Sequence, residues 1–288
     1  MTRLIASLAE ISDSYDAILC DVWGVLHDGR AAFRPASDAL VAYRRRGGVV
    51  AALTNAPRPN PPVRTQMLRL GVSEHALDAV VTSGDVTLAL MEAFGDAPVH
   101  TIGPDRDMSL FDALAARSGL RPARVAPQQA AYVLCTGLEH DERETPADYT
   151  LRLAALAARK LPFLCANPDI VIHRGADLVY CAGALGRDYA ALGGDVTYAG
   201  KPHAPIYQAA LGVVAQTLGR EPRRVLAIGD GFQTDVRGAA GQGIDVLFVA
   251  GGIHREETLT DGKPDAKKLA AFFAREGLTP VATLAALT

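Results

Sequence analysis

With 288 residues and a hydrophobic content of 49%, the chain is long enough for one large or two ordinary domains and is neither disordered nor fibrous. Its formal net charge of −3 gives no general attraction to nucleic acid or to anionic membranes, so neither is expected as a partner. No apolar stretch approaches the roughly 20 residues of a membrane span, and the acidic N-terminal region shows no secretory signal.

Short β-branched apolar runs alternate with amphipathic stretches, and this alternation predicts βα units on a parallel sheet. The predicted strands are 17–22, 49–53, 79–82, 99–102, 132–135, 163–166, 196–199, 225–228 and 246–249. The predicted helices are 37–46, 62–70, 86–94, 110–117, 147–159, 205–218, 234–240 and 266–275. The pattern is therefore that of an α/β protein.

The cysteines indicate a reducing compartment. They lie far apart, each in an apolar run, with no CxxC pair and no histidine at ligand spacing. They are Cys20, Cys135, Cys165 and Cys181. We therefore predict buried core thiols and a cytoplasmic location.

Polar side chains follow several predicted strands in the first and last thirds of the chain. A carboxylate at the end of a buried strand is costly unless something uses it, and ligands bind at the carboxyl edge of parallel sheets. The polar residues are Asp21, the pair Thr54 and Asn55, Lys201, and the pair Asp230 and Asp235. The middle third contains none of these segments. We therefore predict a core domain of residues 1–86 and 192–288 and an inserted domain of residues 87–191.

Each of these segments alone is common as a helix cap or a turn. Together they supply a nucleophilic carboxylate, a hydroxyl and a cation for an anionic group, and further carboxylates for a divalent metal. An aspartate can form an aspartyl-phosphate. Mg²⁺ typically takes one or two carboxylates together with phosphate oxygens and water. The combination predicts chemistry on a phosphorylated compound.

In this order, the segments resemble the four motifs of the haloacid dehalogenase (HAD) superfamily over essentially the whole chain. The insertion resembles the C2 cap of the class IIA branch, which includes several phosphatases. Three further segments share this resemblance: Thr82-Ser83-Gly84, Ala166-Asn167-Pro168-Asp169 and the run from Gly200 to Tyr207. The resemblance implies a Rossmann-like parallel core sheet with helices on both faces, an inserted α/β C2-type cap, and a small phosphorylated substrate. Class IIA caps often pair, so a homodimer through the cap is one expectation.

The resemblance also implies a Mg²⁺ site. Asp21 would be the nucleophile and one metal ligand, the backbone carbonyl of Trp23 a second ligand, and Asp230 a third. These roles come from the matching motif positions. They make the metal part of the phosphoryl-transfer site.

The remaining motif residues would bind the transferring phosphoryl group. Thr54 and the backbone amide of Asn55 would hold its oxygens, and Lys201 would neutralise its charge, with Asp235 orienting the lysine. Positioning and electrostatic stabilisation supply most of phosphoryl-transfer catalysis. This set is therefore adequate for the first half-reaction.

One position departs from the family pattern. HAD phosphatases carry a second aspartate two residues after the nucleophile, which protonates the leaving group and then activates water. This chain has Trp23 there, and an indole has no usable acid–base chemistry near neutral pH. General acid–base help is typically worth about 10²–10⁴-fold in rate. The substitution should therefore be costly for alkyl phosphates and mild for aryl or acyl phosphates.

Three functions stay open from the sequence. The first is a Mg²⁺-dependent phosphatase that uses a good leaving group, a substrate group or a side chain such as His27, Asp28 or His203 for the proton. The second is carbon–halogen displacement, because the superfamily's haloacid dehalogenases also place an aromatic residue at this point, but the C2 cap argues against it. The third is a catalytically weak protein that binds a phosphorylated ligand or a partner, which the retained charged residues oppose.

Two predictions concern the inserted domain. Polar residues after the strand 163–166 either face the substrate or hold a turn by Asx hydrogen bonds; they are Asn167, Asp169, His173 and Arg174. Glycines near the end of this domain are predicted to mark turns on the return to the core. They are Gly183, Gly186, Gly193 and Gly194.

Overall fold

A computed structural model of the protein describes residues 2–174 and 177–288. The chain forms two compact units. The first comprises Met1–Thr54, Arg64–Val81 and Tyr207–Thr288, and the second comprises Asn55–Val63 and Thr82–Ile206. The domain boundaries that the sequence predicts, after residues 86 and 191, stay a prediction. Within the described ranges, no helix has the length and apolar character needed to cross a membrane.

The strands are β1 (Arg3–Leu4), β2 (Ala17–Asp21), β3 (Val49–Thr54), β4 (Ala79–Thr82), β5 (Val99–Ile102), β6 (Tyr132–Cys135), β7 (Phe163–Cys165), β8 (Val171–Arg174), β9 (Asp177–Tyr180), β10 (Val196–Tyr198), β11 (Val225–Gly229), β12 (Asp245–Val249), β13 (Leu259–Thr260), β14 (Lys263–Pro264) and β15 (Ala282–Leu284). The α-helices are α1 (Arg34–Arg45), α2 (Asn60–Leu70), α3 (Ser83–Glu92), α4 (Ser109–Ser118), α5 (Thr150–Ala158), α6 (Ala182–Ala191), α7 (Ala204–Leu218), α8 (Arg237–Gly241), α9 (Arg255–Thr258) and α10 (Ala266–Glu276). A π-helical turn, Phe232–Val236, precedes α8.

The first unit is built on a seven-stranded sheet in the order β1-β15-β12-β11-β2-β3-β4. The pairs from β1 to β3 are all parallel. From β2 the chain runs outward in one direction through β3 and β4, and from β11 it runs outward in the other through β12 and β15. The carboxyl ends of β2 and β11 therefore form the topological switch point, where ligands bind in open α/β sheets.

Every residue of β2 and β3 is buried. Successive strand residues point to opposite faces, so both faces of the sheet are covered at its centre. This burial explains why these strands read as continuous apolar runs in the sequence. The predicted α/β fold with a parallel core sheet is confirmed.

The second unit contains a four-stranded parallel sheet in the order β10-β7-β6-β5. Alternate residues of β6 belong to two separate hydrophobic clusters, as the two-residue period of a strand requires. Val133 and Cys135 pack in a cluster with residues of α5 and α6. Tyr132 and Leu134 pack in the other with residues of α3 and α4. The sheet is therefore covered by helices on both faces, and all four cysteines of the chain are buried thiols.

All nine predicted strands are present, each within one residue of its predicted ends. Short strands without a clear pattern, such as β1 and β13, and helix α6 were not predicted. The prediction that Gly183 and Gly186 mark turns is wrong, since both lie inside α6. A Cβ at Gly183 would meet the Pro168 carbonyl oxygen at 2.0 Å, so this glycine serves close packing.

Asp16 joins the start of β2 to the segment before β11. Its carboxylate accepts hydrogen bonds from the Arg220 guanidinium at 3.0 Å and from the backbone amide of Arg223 at 2.6 Å. These donors lower the pKa of Asp16 from 3.8 to about 2, the hydrogen bond from Arg220 being the largest cause. A depressed carboxyl pKa contributes stability that is fully present above pH 3.8 and is lost as the pH falls toward 2.

We therefore expect Asp16→Asn to lower the free energy of unfolding at pH 7, and the deficit to shrink as the pH falls below 4. Urea denaturation at a series of pH values measures this. Asp13→Asn is the matched control, because the Asp13 side chain is 83% exposed and contacts Arg46 at 3.4 Å, and such pairs contribute little. A deficit in Asp16→Asn that is independent of pH would contradict the assignment.

Candidate active site and metal centre

The register of the central strands brings the predicted site residues of the first unit to one edge. Asp21, the last residue of β2, pairs with Leu53 of β3, so Thr54 follows at the same edge. On the other side, Cys20 pairs with Ile228 of β11. Asp230 therefore comes directly after the end of β11, next to the end of β2. The adjacent ends of β11, β2 and β3 carry these three side chains.

Asp21, Asp230 and Asp235 form a triad of buried carboxylates. One oxygen from each lies within 4.8 Å of those of the other two. Two unit negative charges at that distance repel each other by about 3 kcal/mol when the effective dielectric constant is about 20. Carboxylates gathered this closely form an arrangement that a bound cation stabilises.

Backbone holds the Asp230 carboxylate from two sides. A Cβ on Gly24 would lie 2.1 Å from Asp230 Oδ2, and one on Gly252 would lie 2.0 Å from the same atom. Gly24 also has a φ of +78°, which favours glycine. The backbone amide of Ile253 donates to Oδ2 at 2.8 Å. Only glycines allow the chain to pass this close to the carboxylate.

Asp235 is held in the same manner by its own turn. The backbone amide of Gly231 donates to Asp235 Oδ2 at 3.0 Å, and the Asp235 amide donates back to the Gly231 carbonyl at 2.8 Å. A Cβ on Gly229 would meet the Asp235 side chain at 2.3 Å. The Tyr207 hydroxyl donates to the Thr234 carbonyl at 3.2 Å. These hydrogen bonds hold the π-helical turn and fix the position of the Asp235 carboxylate.

The donor set of the triad fits a hard divalent cation such as Mg²⁺. Carboxylate oxygens are the ligands that Mg²⁺ prefers, and it usually keeps other positions for water and phosphate oxygens. The cluster is the one group of three or more potential metal-ligating side chains that the described residues bring together. The backbone carbonyl of Trp23, which the sequence adds as a ligand, stays a prediction.

Asn55 and Lys201 belong to the second unit, where the Asn55 side chain clamps the backbone of Lys201. Its Oδ1 accepts from the Lys201 amide at 2.7 Å, and its Nδ2 donates to the Lys201 carbonyl at 3.1 Å. Nδ2 also donates to Asp169 Oδ1 at 2.8 Å. A Cβ on Gly200 would meet Asn55 Oδ1 at 2.3 Å. Asn55 therefore fixes the main chain that carries the lysine, a role that the sequence did not predict.

The side chains considered as alternative proton donors have other contacts. His27 is buried, its Nδ1 accepts from the Gly29 amide at 3.1 Å, and burial lowers its pKa. Asp28 Oδ1 accepts from the amides of Arg30 and Ala31, as a turn residue does. His203 stacks on Tyr198 with ring centroids 4.5 Å apart, and burial lowers its pKa also.

In the second unit, Asn167 Oδ1 accepts from the Asp169 amide at 3.0 Å, which is the Asx turn that the sequence offered as one alternative. Asp169 receives the amide hydrogen bond from Asn55. The side chains of His173 and Arg174 lie outside the described part of the structure.

Comparison with known proteins identifies the family. A crystal structure of a hydrolase of the haloacid dehalogenase-like family from Brucella suis is 46% identical, with a TM-score of 0.85 over 99% of this chain and 100% of that one. This chain belongs to the HAD-like hydrolases. The family described as haloacid dehalogenase-like hydrolase matches residues 18–116, and the one described as HAD-hydrolase-like matches residues 198–272. No curated protein matches the sequence.

Other solved HAD structures share the fold at lower identity. The glycerol phosphate phosphatase of Mycobacterium tuberculosis, in complex with calcium, is 25% identical, with a TM-score of 0.64 over 84% of this chain and 68% of that one. A possible sugar phosphatase of the HAD superfamily from Cytophaga hutchinsonii is 18% identical, with a TM-score of 0.77 over 99% of this chain and 98% of that one.

Because Gly252 lies so close to the Asp230 carboxylate, a side chain at Gly252 should weaken metal binding. The methyl group of Gly252→Ala would displace the carboxylate. Mutation of groups that hold metal ligands in place typically lowers metal affinity by about 10- to 100-fold, and we expect a loss of Mg²⁺ affinity in that range. Titration calorimetry with MgCl₂ measures this.

Gly212→Ala is the matched control, because a Cβ there has no heavy atom within 4 Å. It lies inside α7, where alanine is favoured by roughly 0.5–1 kcal/mol, and Mg²⁺ affinity should not change. Unaltered Mg²⁺ binding by Gly252→Ala would show that this contact does not support the metal site.

Proposed function

We propose that this HAD-family hydrolase is a Mg²⁺-dependent phosphatase that acts on a small phosphorylated metabolite through an aspartyl-phosphate on Asp21. The observation that carries the proposal is the triad of buried carboxylates within 4.8 Å of one another. A carbon–halogen hydrolase has no need for a metal-binding cluster of this kind. The similarity to the glycerol phosphate phosphatase of M. tuberculosis supports the same chemistry.

The carboxylates of Asp21 and Asp230 and the backbone carbonyl of Trp23 would hold the metal. When bound, Mg²⁺ would neutralise charge on the phosphoryl oxygens and on the nucleophile. Asp235, fixed by the Gly231 amide at 3.0 Å, would orient Lys201. Thr54 and the Asn55 amide would bind phosphoryl oxygens.

The reaction proceeds in two displacements. An Asp21 carboxylate oxygen attacks phosphorus, and the bond from phosphorus to the ester oxygen breaks, so that the leaving group departs with the electron pair. Water then attacks phosphorus, the bond to Asp21 breaks, and the carboxylate is regenerated with release of inorganic phosphate. The proton of the water passes to a phosphate oxygen or to solvent.

Trp23 restricts which leaving groups are tolerated. The indole cannot protonate the departing oxygen near neutral pH, so that oxygen must be stable as an anion. Aryl and acyl phosphates meet this condition, and simple alkyl phosphates do not. The substrate class that follows is a phosphate with a good leaving group.

Phosphate release from phenyl phosphate and from acetyl phosphate tests the proposal. We expect turnover that requires Mg²⁺ and that falls by at least about 10³-fold in Asp21→Asn, because the amide is not a nucleophile. The melting temperature of Asp21→Asn checks that the variant is folded.

The other two functions give different results in the same experiment. Halide release from a short 2-haloacid without metal would assign carbon–halogen hydrolysis instead. Tight binding of phosphate compounds that persists in Asp21→Asn, with no turnover of either substrate, would assign a binding protein.

A second prediction concerns the missing acid. Trp23→Asp should raise the rate of alkyl phosphate hydrolysis by at least about tenfold, the low end of what general acid catalysis supplies. Trp23→Asn is the matched control, since it has the same size as the aspartate but no proton to donate, and it should gain nothing. If Trp23→Asp folds, binds Mg²⁺ and stays as slow as Trp23→Asn, the account of the missing acid is wrong.

A further inference from the structure

Trp23 lies directly beside the carboxylate triad. It comes two residues after Asp21, and the next residue, Gly24, is so close to Asp230 that a Cβ would lie 2.1 Å from Oδ2. The backbone of Trp23 therefore borders the candidate metal centre on the chain that carries the nucleophile. A side chain at this position is well placed to meet the part of a substrate next to its phosphoryl group.

The indole is exposed, whereas the apolar residues near it in sequence are buried. Trp23 is 39% exposed, whereas Val22, Val25, Leu26 and His27 are each 2% exposed or less. The apolar residues on either side thus enter the core, while the largest one does not. A single exposed apolar residue is ordinary, so what distinguishes this indole is its place beside the candidate catalytic carboxylates, where a ligand site combines apolar surface with a few polar groups.

The exposed indole is also held in one position. The His27 ring packs edge-on against it, with ring centroids 5.0 Å apart and an interplanar angle of 75°. The far edge of the indole lies over Gly29, where a Cβ would be 2.6 Å from two of its ring carbons. The Gly29 amide donates to His27 Nδ1 at 3.1 Å, which fixes the histidine as well. We call Trp23, His27 and Gly29 the aromatic platform.

A fixed, uncharged aromatic surface favours a flat ring. Aromatic rings stack face to face with an offset or pack edge to face, and a surface that is already ordered loses little entropy when it binds. The same residue removes the general acid, which independently requires a leaving group that departs without a proton. A ring bonded directly to the ester oxygen satisfies both conditions.

We infer that the aromatic platform makes Trp23 a specificity-determining residue that selects phosphate esters of planar aromatic or heteroaromatic alcohols over acyl and alkyl phosphates. This inference rests on the proposed phosphatase function. It adds to it the class of leaving group and the residues that recognise the ring.

Non-hydrolysable phosphonates test ring recognition without turnover. We expect the wild-type protein with Mg²⁺ to bind phenylphosphonate about tenfold more tightly than methylphosphonate by titration calorimetry. Trp23 is the only tryptophan of the chain. Its fluorescence should therefore change with phenylphosphonate and much less with methylphosphonate.

Variants separate the ring from its support. Trp23→Phe should keep most of the preference for phenylphosphonate, and Trp23→Leu should reduce it to less than about threefold. Gly29→Ala, which displaces the indole without altering it, should reduce it also. Gly47→Ala is the matched control, because Gly47 has a φ of +91° against +85° at Gly29 but no heavy atom near an added Cβ. It should keep the wild-type preference.

The outcomes distinguish this inference from the function on which it rests. If Trp23→Leu keeps the wild-type preference while acetyl phosphate is hydrolysed with Mg²⁺, the inference that Trp23 selects aromatic rings is wrong and the proposed phosphatase function stands. If the wild-type protein hydrolyses neither acetyl nor phenyl phosphate and binds neither phosphonate, both the inference and the proposed phosphatase function are wrong.

Discussion

The close approach of three buried carboxylates is the constraint around which the first unit is organised. Asp21, Asp230 and Asp235 approach within 4.8 Å of one another, and no hydrophobic contact can offset that arrangement locally. Backbone groups contribute to holding two of these carboxylates. Glycines let the main chain pass against Asp230 and Asp235, and amide hydrogens of Ile253 and Gly231 point at their oxygens. These contacts fix the positions of the Asp230 and Asp235 carboxylates.

A rigid charged centre and a neutral aromatic neighbour divide the chemistry between them. In the proposed reaction, the carboxylates would act on the phosphoryl group, which is common to every phosphate ester and does not distinguish one substrate from another. By the same proposal, Trp23 would contact the group bonded to the ester oxygen, and its indole has no proton to offer near neutral pH. Catalytic power and selectivity are therefore coupled at one position. A change there that improves the chemistry for poor leaving groups also removes the aromatic surface.

Much of the fold and the site could be predicted because buried strands produce continuous apolar runs in the sequence. The apolar runs of β2, β3 and β11 and the polar residues that end them were predicted from residue types alone. Contacts between residues far apart in the chain produce no such local pattern. The Ile253 amide on Asp230 and the Asn55 clamp on Lys201 join residues far apart in the chain. Glycines that permit close packing, such as Gly183 in α6, resemble turn glycines until a neighbour is known.

The pairing of β2 with β11 has a consequence for how the molecule is made. Ala17 lies opposite Val225, so β2 emerges from the ribosome long before β11 is translated. Strand pairs so distant in sequence form slowly. The nascent polypeptide therefore carries Asp21 without its acidic companions for most of synthesis. The carboxylate cluster can form only late in translation, and a product that ends before Asp230 would lack it.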